Sequence, residues 1–173
     1  MLTLAACSDD SNGVSATSST SAGATTTLST EATTTTEPPA GVSTDFARAV
    51  IELGGVPRTV AVAETNEQRA QGLMGVENLG PLDGMLFVFG NEAVRSFWMK
   101  DTLFPLDVAF FDADGFLVSK TSMATCLDDD CPSYSSELPA QYALEAPLGA
   151  LADLAGDVRL AIISISDGSG KEI

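Results

Sequence analysis

The chain has 173 residues and a formal charge of −16, from 24 acids against 8 bases, with no histidine. That balance excludes a nucleic-acid partner gripped through its phosphates and electrostatic docking on anionic lipid, because no Lys/Arg cluster is present to neutralise either. The missing imidazole removes the commonest general base and the commonest metal ligand, so neither a cofactor nor a metal is expected.

Composition shifts near residue 43. The segment before it carries Asp9, Asp10, Glu31 and Glu37 and no base, whereas the rest holds the remaining acids and every base. Residues 1–7, MLTLAAC, are apolar and end Leu4-Ala5-Ala6-Cys7, the form of a bacterial lipobox. In this reading Cys7 is the lipidated first residue of the mature protein, and the charged and longer apolar parts of the signal lie upstream. The expected location is the cell envelope, lipid-anchored on the outer face of the cytoplasmic membrane. Residues 8–44 are mostly Ser, Thr, Ala and Gly. They bury too little apolar surface to offset ordering entropy, so a disordered tether is expected. A flexible coil of that length spans roughly 35 Å on average and about 120 Å when stretched. A folded domain then runs over 45–166 and a flexible tail over 167–173.

The domain opens with strands at Ala47–Leu53 and Arg58–Glu64 around the turn Gly54-Gly55-Val56-Pro57. Thr65-Asn66-Glu67-Gln68 is a capping box, and the short helix it starts stops at Gly72. Residues 78–84 are loop, and Met85–Phe89 is a buried strand ending at Gly90-Asn91. From Arg95 to Lys100 the residues alternate between Arg95, Phe97, Met99 and Ser96, Trp98, Lys100, the pattern of a strand with two distinct faces. Pro105 breaks it. A second strand, LDVAFF, begins at Leu106 and turns at Asp112–Gly115 into a strand over 116–124. Further strands are expected at 142–145 and 158–165, with a second helix at 147–154 entered through Pro147. The sum is a mainly β fold: a compact β-sandwich or half-open barrel of about seven to eight strands with two short helices.

Several residues carry chemistry. Cys126 and Cys131 enclose a short acidic loop. In an exported chain the pair reads as a structural disulfide, with a redox pair or a soft-metal site shared with Met99 or Met123 as alternatives. Asp128-Asp129-Asp130 offer oxygens to calcium but do not converge on one centre unaided, so a solvated loop is the simpler reading. Asp107 and Glu145 interrupt otherwise apolar strands, where an unpaired carboxylate is costly. Either each pairs with Arg69 or Lys100, or one is a raised-pKa acid in a pocket. Two carboxylates across a cleft would also suit glycoside hydrolysis. Ser133, Ser135 and Ser136 have no histidine to activate them, which excludes a His-based serine hydrolase. Trp98, with Lys100 and Thr102 beside it, makes a platform for a sugar or peptide, or else is plain core.

Taken in order, Arg69 with Gly72-Leu73-Met74, Gly84-Met85-Leu86-Phe87, Phe97-Trp98-Met99-Lys100-Asp101-Thr102, Pro105-Leu106-Asp107, Cys126 with Cys131-Pro132 and Tyr134, and Glu145 form a pattern. It resembles the prokaryotic domain-of-unknown-function family 192 over roughly residues 45–165. The resemblance implies a mainly β domain, often exported or lipid-anchored, without a settled activity. Where that family commonly reads FWMKNT, this chain has Asp101 after Lys100.

Three functions follow as expectations. The first is an extracytoplasmic binding module, lipid-anchored, for a small polar, saccharide or peptide ligand, with ligand-binding residues Arg69, Trp98, Lys100, Thr102, Asp107 and Glu145. The second is an envelope scaffold whose partner is another protein. The third is a glycan-acting hydrolase using Asp107 and Glu145 as acid and base.

Overall fold

The structure, a computed structural model, describes residues 40–168, 171 and 172. The lipobox with Cys7 and all but the last residues of the tether lie outside the described residues. β1 (Ala47–Leu53) and β2 (Val56–Ala63) pair antiparallel with Leu53 opposite Val56, so the turn is Gly54-Gly55 alone. Pro57 sits inside β2 but ahead of the segment that pairs with the next strand, where its missing N–H costs that ladder nothing. Thr65 caps α1 (Asn66–Gln71) through the full capping box, with Gln68 reaching back to the cap.

α1 and the following loop form a crossover, because β3 (Gly84–Trp98) lies parallel to β2. Leu73, Val76, Leu79 and Leu82 from that loop are buried and cover one face of the sheet. β4 (Leu106–Phe111), β5 (Leu117–Met123), β6 (Ser133–Pro147) and β7 (Leu160–Ser166) complete it. The strand order is β5-β4-β6-β3-β2-β1-β7, a mixed, open seven-stranded sheet. The mainly β class therefore holds, and the sheet is not closed: its edge strands β5 and β7 touch only at their beginnings, through the Phe116–Arg159 bridge and the bonds from Leu117 N to the Val158 carbonyl and from Leu160 N to the Gly115 carbonyl.

Both sheet faces carry a core. Met85, Phe87, Met99, Leu106, Val108 and Phe110 pack on one side; Ile51, Val60, Val62, Leu86, Phe111, Leu144 and Leu160 pack on the other. Every residue of β4 is buried, which explains its near-continuous apolar sequence in the sheet interior.

Four boundaries differ from the sequence reading. Met85–Phe89 and Arg95–Trp98 are one strand, β3, whose pairing with β6 is irregular between Val88 and Ala93 and again between Val94 and Ser96. Likewise β6 begins at Ser133 rather than 142, since its polar first half still pairs with β3. No second helix forms at 147–154. Gly149 takes φ +87°, which interrupts helical geometry, and the segment is a series of turns instead. The ends of the domain also extend further. Val42 packs on the core and the Ala40 carbonyl accepts from Glu77 N, while Ser166 bridges to Glu172, Asp167 N donates to the Lys171 carbonyl and Lys171 N donates to Asp167 Oδ1.

Candidate functional site

Glu145 owes its place to strand alternation. On β6 it lies opposite Met85 of β3 and Val108 of β4, so it faces the first core, while its neighbours Leu144 and Ala146 face the second. It is only 4% exposed. Its side chain makes no hydrogen bond or ion pair among the described residues, and its oxygens are not fully enclosed, so they keep contact with solvent through the cleft. Burial without a compensating charge raises its carboxyl to about 8, so at neutral pH it is a neutral acid able both to donate and to accept.

The space beside it is a cleft of about 30 Å³, lined by Glu145, Thr102, Phe87, Phe97, Trp98 and the end of α1 from Arg69 through Met74. That volume suits one or two water-sized groups. The cleft shares Arg69, Ala70, Phe87, Phe97 and Trp98 with a larger hollow of about 340 Å³, which adds Phe89 and Ser96. Phe97 meets Phe87, Phe89 and Phe110 edge-on at 4.9, 6.5 and 5.5 Å between centroids, so the aromatic wall is a locked set. Trp98 projects from this wall and is 55% exposed, which settles it as rim rather than core.

Gly72 forms the tight end of α1 at φ +50°, ψ −132°, a conformation that disfavours L side chains. A Cβ there would lie 3.3 Å from the Phe87 ring. The turn keeps the last peptides of α1 close to the aromatic wall. Gly72 N closes on the Gln68 carbonyl and Met74 N on that of Gln71. No donor among the described residues reaches the Arg69 or Ala70 carbonyl, the usual fate of a helix's last carbonyls.

Arg69 neutralises neither candidate carboxylate. Its guanidinium donates to the carbonyls of Glu64 and Val88 and to Asn66 Oδ1, and lies 5.1 Å from the Phe89 centroid. Arg95 lies 3.9 Å from the same ring and donates to the Ala140 and Asn91 carbonyls. Burial and the charge of Arg69 lower the Arg95 pKa.

Lys100 and Asp107 stand apart from this site. Lys100 Nζ bonds Asp129 at 2.6 Å and the Asp128 carbonyl at 3.3 Å, and the Asp129 carboxylate raises its pKa. Asp107 points to the opposite sheet face. Its Oδ1 accepts from Ser122 at 2.7 Å, and its Oδ2 accepts from Gly149 N at 2.8 Å and Leu151 N at 3.3 Å. With Asp107 and Glu145 on opposite faces, no substrate bond can lie between them, so the acid/base pair of the hydrolase reading does not form. Cys126 and Cys131 form a disulfide, S–S 2.08 Å, and Cys126 bridges to Lys100 and Thr102 beside the cleft.

Of the six proposed ligand residues, the fold thus gathers Arg69, Trp98, Thr102 and Glu145. It adds Gly72, Phe87, Phe89 and Phe97, which sequence reasoning assigned to core and turn. The alternation of Phe87 and Phe89 with Phe97 was the available signal, but their convergence depends on how β3 bends past β6.

Residues 48–158 match the family DUF192, described as Uncharacterized ACR. The chain belongs to that family. No curated protein matches it. Among solved structures it resembles a "putative transcription regulator" from Sinorhizobium meliloti 1021, with 28% identity and TM-score 0.60 over 70% of this chain and 98% of the other. It also shares its fold with a protein of unknown function from Novosphingobium aromaticivorans DSM 12444, at 22% identity and TM-score 0.58 over 66% of this chain and 84% of that one.

Proposed function

We propose that this chain is an extracytoplasmic binding module, lipid-anchored through Cys7 on the outer face of the cytoplasmic membrane. Its site is the aromatic hollow and cleft around Arg69, Trp98, Thr102 and Glu145, and its ligand is a small polar, saccharide or peptide molecule. The observation that carries the reading is Glu145. A buried acid without a partner costs stability unless something else calls for it, and this one lines a concave opening rather than a sealed core. Among the described residues no helix is long and apolar enough to cross a membrane, so in this reading the lipid on Cys7 supplies the attachment. The name given to the Sinorhizobium neighbour is not carried over to this chain, since 24 acids against 8 bases oppose direct contact with nucleic-acid phosphates.

Trp98 is the chain's single tryptophan, so its fluorescence reports on the site directly. Titration with a panel of monosaccharides, dipeptides and small amines is expected to give a saturable change for at least one class. Calorimetry with Trp98→Ala should then show a loss of affinity for that class of roughly 5- to 150-fold, since a stacked aromatic contributes about 1–3 kcal/mol. In cells, Cys7→Ser should abolish lipid labelling. The scaffold reading rests on the open edge strand β7, where Ile163 is exposed. A silent panel together with concentration-dependent association would favour it.

A further inference from the structure

Three features of the cleft bear on what enters it. Its depth ends at a carboxyl group that is nine-tenths buried and unpartnered. Its helical wall is formed by residues at the C-terminal, electronegative end of α1. Phe87, Phe97 and Trp98 also line it, and aromatic rings attract cations to their faces. The acid, the helix C-terminus and the aromatic lining favour positive charge, and Arg69, the one cation of the lining, is engaged with carbonyls and Asn66. The volume of about 30 Å³ is enough for a primary ammonium head.

We infer that the Glu145 cleft binds the primary ammonium group of its ligand, with the ligand's remaining atoms lying in the aromatic hollow beside Trp98. The inference rests on the binding-site reading above and narrows it to one chemical class. The Thr102 hydroxyl is in place as an additional acceptor, since its own proton points to the Lys100 carbonyl at 3.4 Å.

Binding moves one proton. The empty cleft holds Glu145 as the neutral acid, and the entering ammonium keeps its three protons. The carboxyl releases its own proton to solvent, and the resulting carboxylate pairs with the ammonium. Of the groups facing Glu145, all are uncharged except Arg69, whose positive charge works against a second cation and is what the acid must outweigh. Met85 of β3 and Val108 of β4 are apolar. From α1 the one charged residue is Arg69, whose guanidinium is held on the Glu64 and Val88 carbonyls and Asn66. No other charged residue lines the cleft.

The test uses the whole protein and two matched probes, n-butylammonium and 1-butanol, read by Trp98 fluorescence between pH 6 and pH 8. The ammonium compound should bind at least tenfold more tightly than the alcohol at pH 8. Its affinity should fall by close to tenfold for each pH unit below about 8, because each binding event must then displace a proton. The alkylammonium itself stays protonated throughout this range, as lysine does. Glu145→Gln should erase both the preference and the slope, and Thr102→Val should weaken the ammonium alone. The wild-type pH slope stands as a test even if a variant folds poorly. Equal binding of the two probes, or tighter binding at low pH, overturns the ammonium inference and leaves the binding-site reading intact. No response to butylammonium also overturns the inference, and the wider panel then decides the site independently.

Discussion

Glu145 is a carboxyl that folding moves from water into a nearly closed space, and the consequence is a stability that depends on pH. In the unfolded chain it titrates near 4.5; in the native protein it keeps its proton to about 8. Between those values the folded state binds more protons than the unfolded state, so this residue's contribution falls as pH rises. It is fully present below pH 4.5 and gone above pH 8, with a slope of about 1.4 kcal/mol per unit and a total on the order of 5 kcal/mol. Glu145→Gln keeps the shape and cannot ionise. Urea denaturation at pH 5 and pH 7.5 should therefore show the variant gaining on the wild type as pH rises. Parallel profiles would mean that Glu145 is ionised in the native protein. Gly72 matters at the same scale. Gly72→Ala forces a Cβ into a positive-φ turn 3.3 Å from Phe87, and is expected to cost about 1–3 kcal/mol in thermal or urea unfolding.

At the level of elements, the turns of 147–154 are organised by Asp107 rather than by helix formation. One carboxylate oxygen takes the N–H groups of Gly149 and Leu151, and Lys120 caps the far end by donating to the Leu151 and Ala152 carbonyls. The segment places Leu151 in the second core. Asp107→Ala leaves two backbone donors and the Ser122 hydroxyl without their acceptor, and should destabilise the protein by about 3 kcal/mol. Because Asp107 and Glu145 face opposite sides of the sheet, the same change should leave Trp98 fluorescence and ligand response unaltered. A loss of binding in Asp107→Ala at full folding would place Asp107 in the site after all. Two irregular strands play a comparable part. β3 and β6 lose and regain register, and it is the far end of β3 that carries Phe97 and Trp98 over the end of α1.

For the molecule as a whole, stability comes from a sheet covered on both faces, and the disulfide serves a local purpose. Cys126 and Cys131 close a loop of about six residues, which contributes about 2 kcal/mol through loop entropy. The double variant Cys126→Ser/Cys131→Ser should unfold in one cooperative urea transition, shifted by that amount, and should loosen the Lys100–Asp129 contact. Failure to fold would show that the loop staple supports the sheet itself.

The mainly β class, the α1 cap and stop, a turn at Gly54-Gly55 (though not its end before Val56) and one at Asp112–Gly115, and the Cys126–Cys131 pair are local matters. Each depends on a few neighbouring residues, such as Thr65 with Gln68 or Gly54 with Gly55, and sequence by itself determined them. Alternation likewise announced that Phe97 and Met99 share a face apart from Trp98. The joining of Met85–Phe89 to Arg95–Trp98, and the extension of β6 back to Ser133, came from pairing between residues as far apart in sequence as Met85 and Glu145, which local polarity at Gly90-Asn91 disguises. Helix propensity at 147–154 lost to a carboxylate 40 residues earlier in the chain. The site was half legible for the same reason. Burial of charge in apolar strands singled out Asp107 and Glu145 equally, because sequence records that a carboxylate lies in a strand but not which sheet face it joins. That assignment needed the registers of β4 and β6. They gave Asp107 to the backbone donors of a turn and Glu145 to an open cleft, and only the tertiary structure decided which acid was left without a partner.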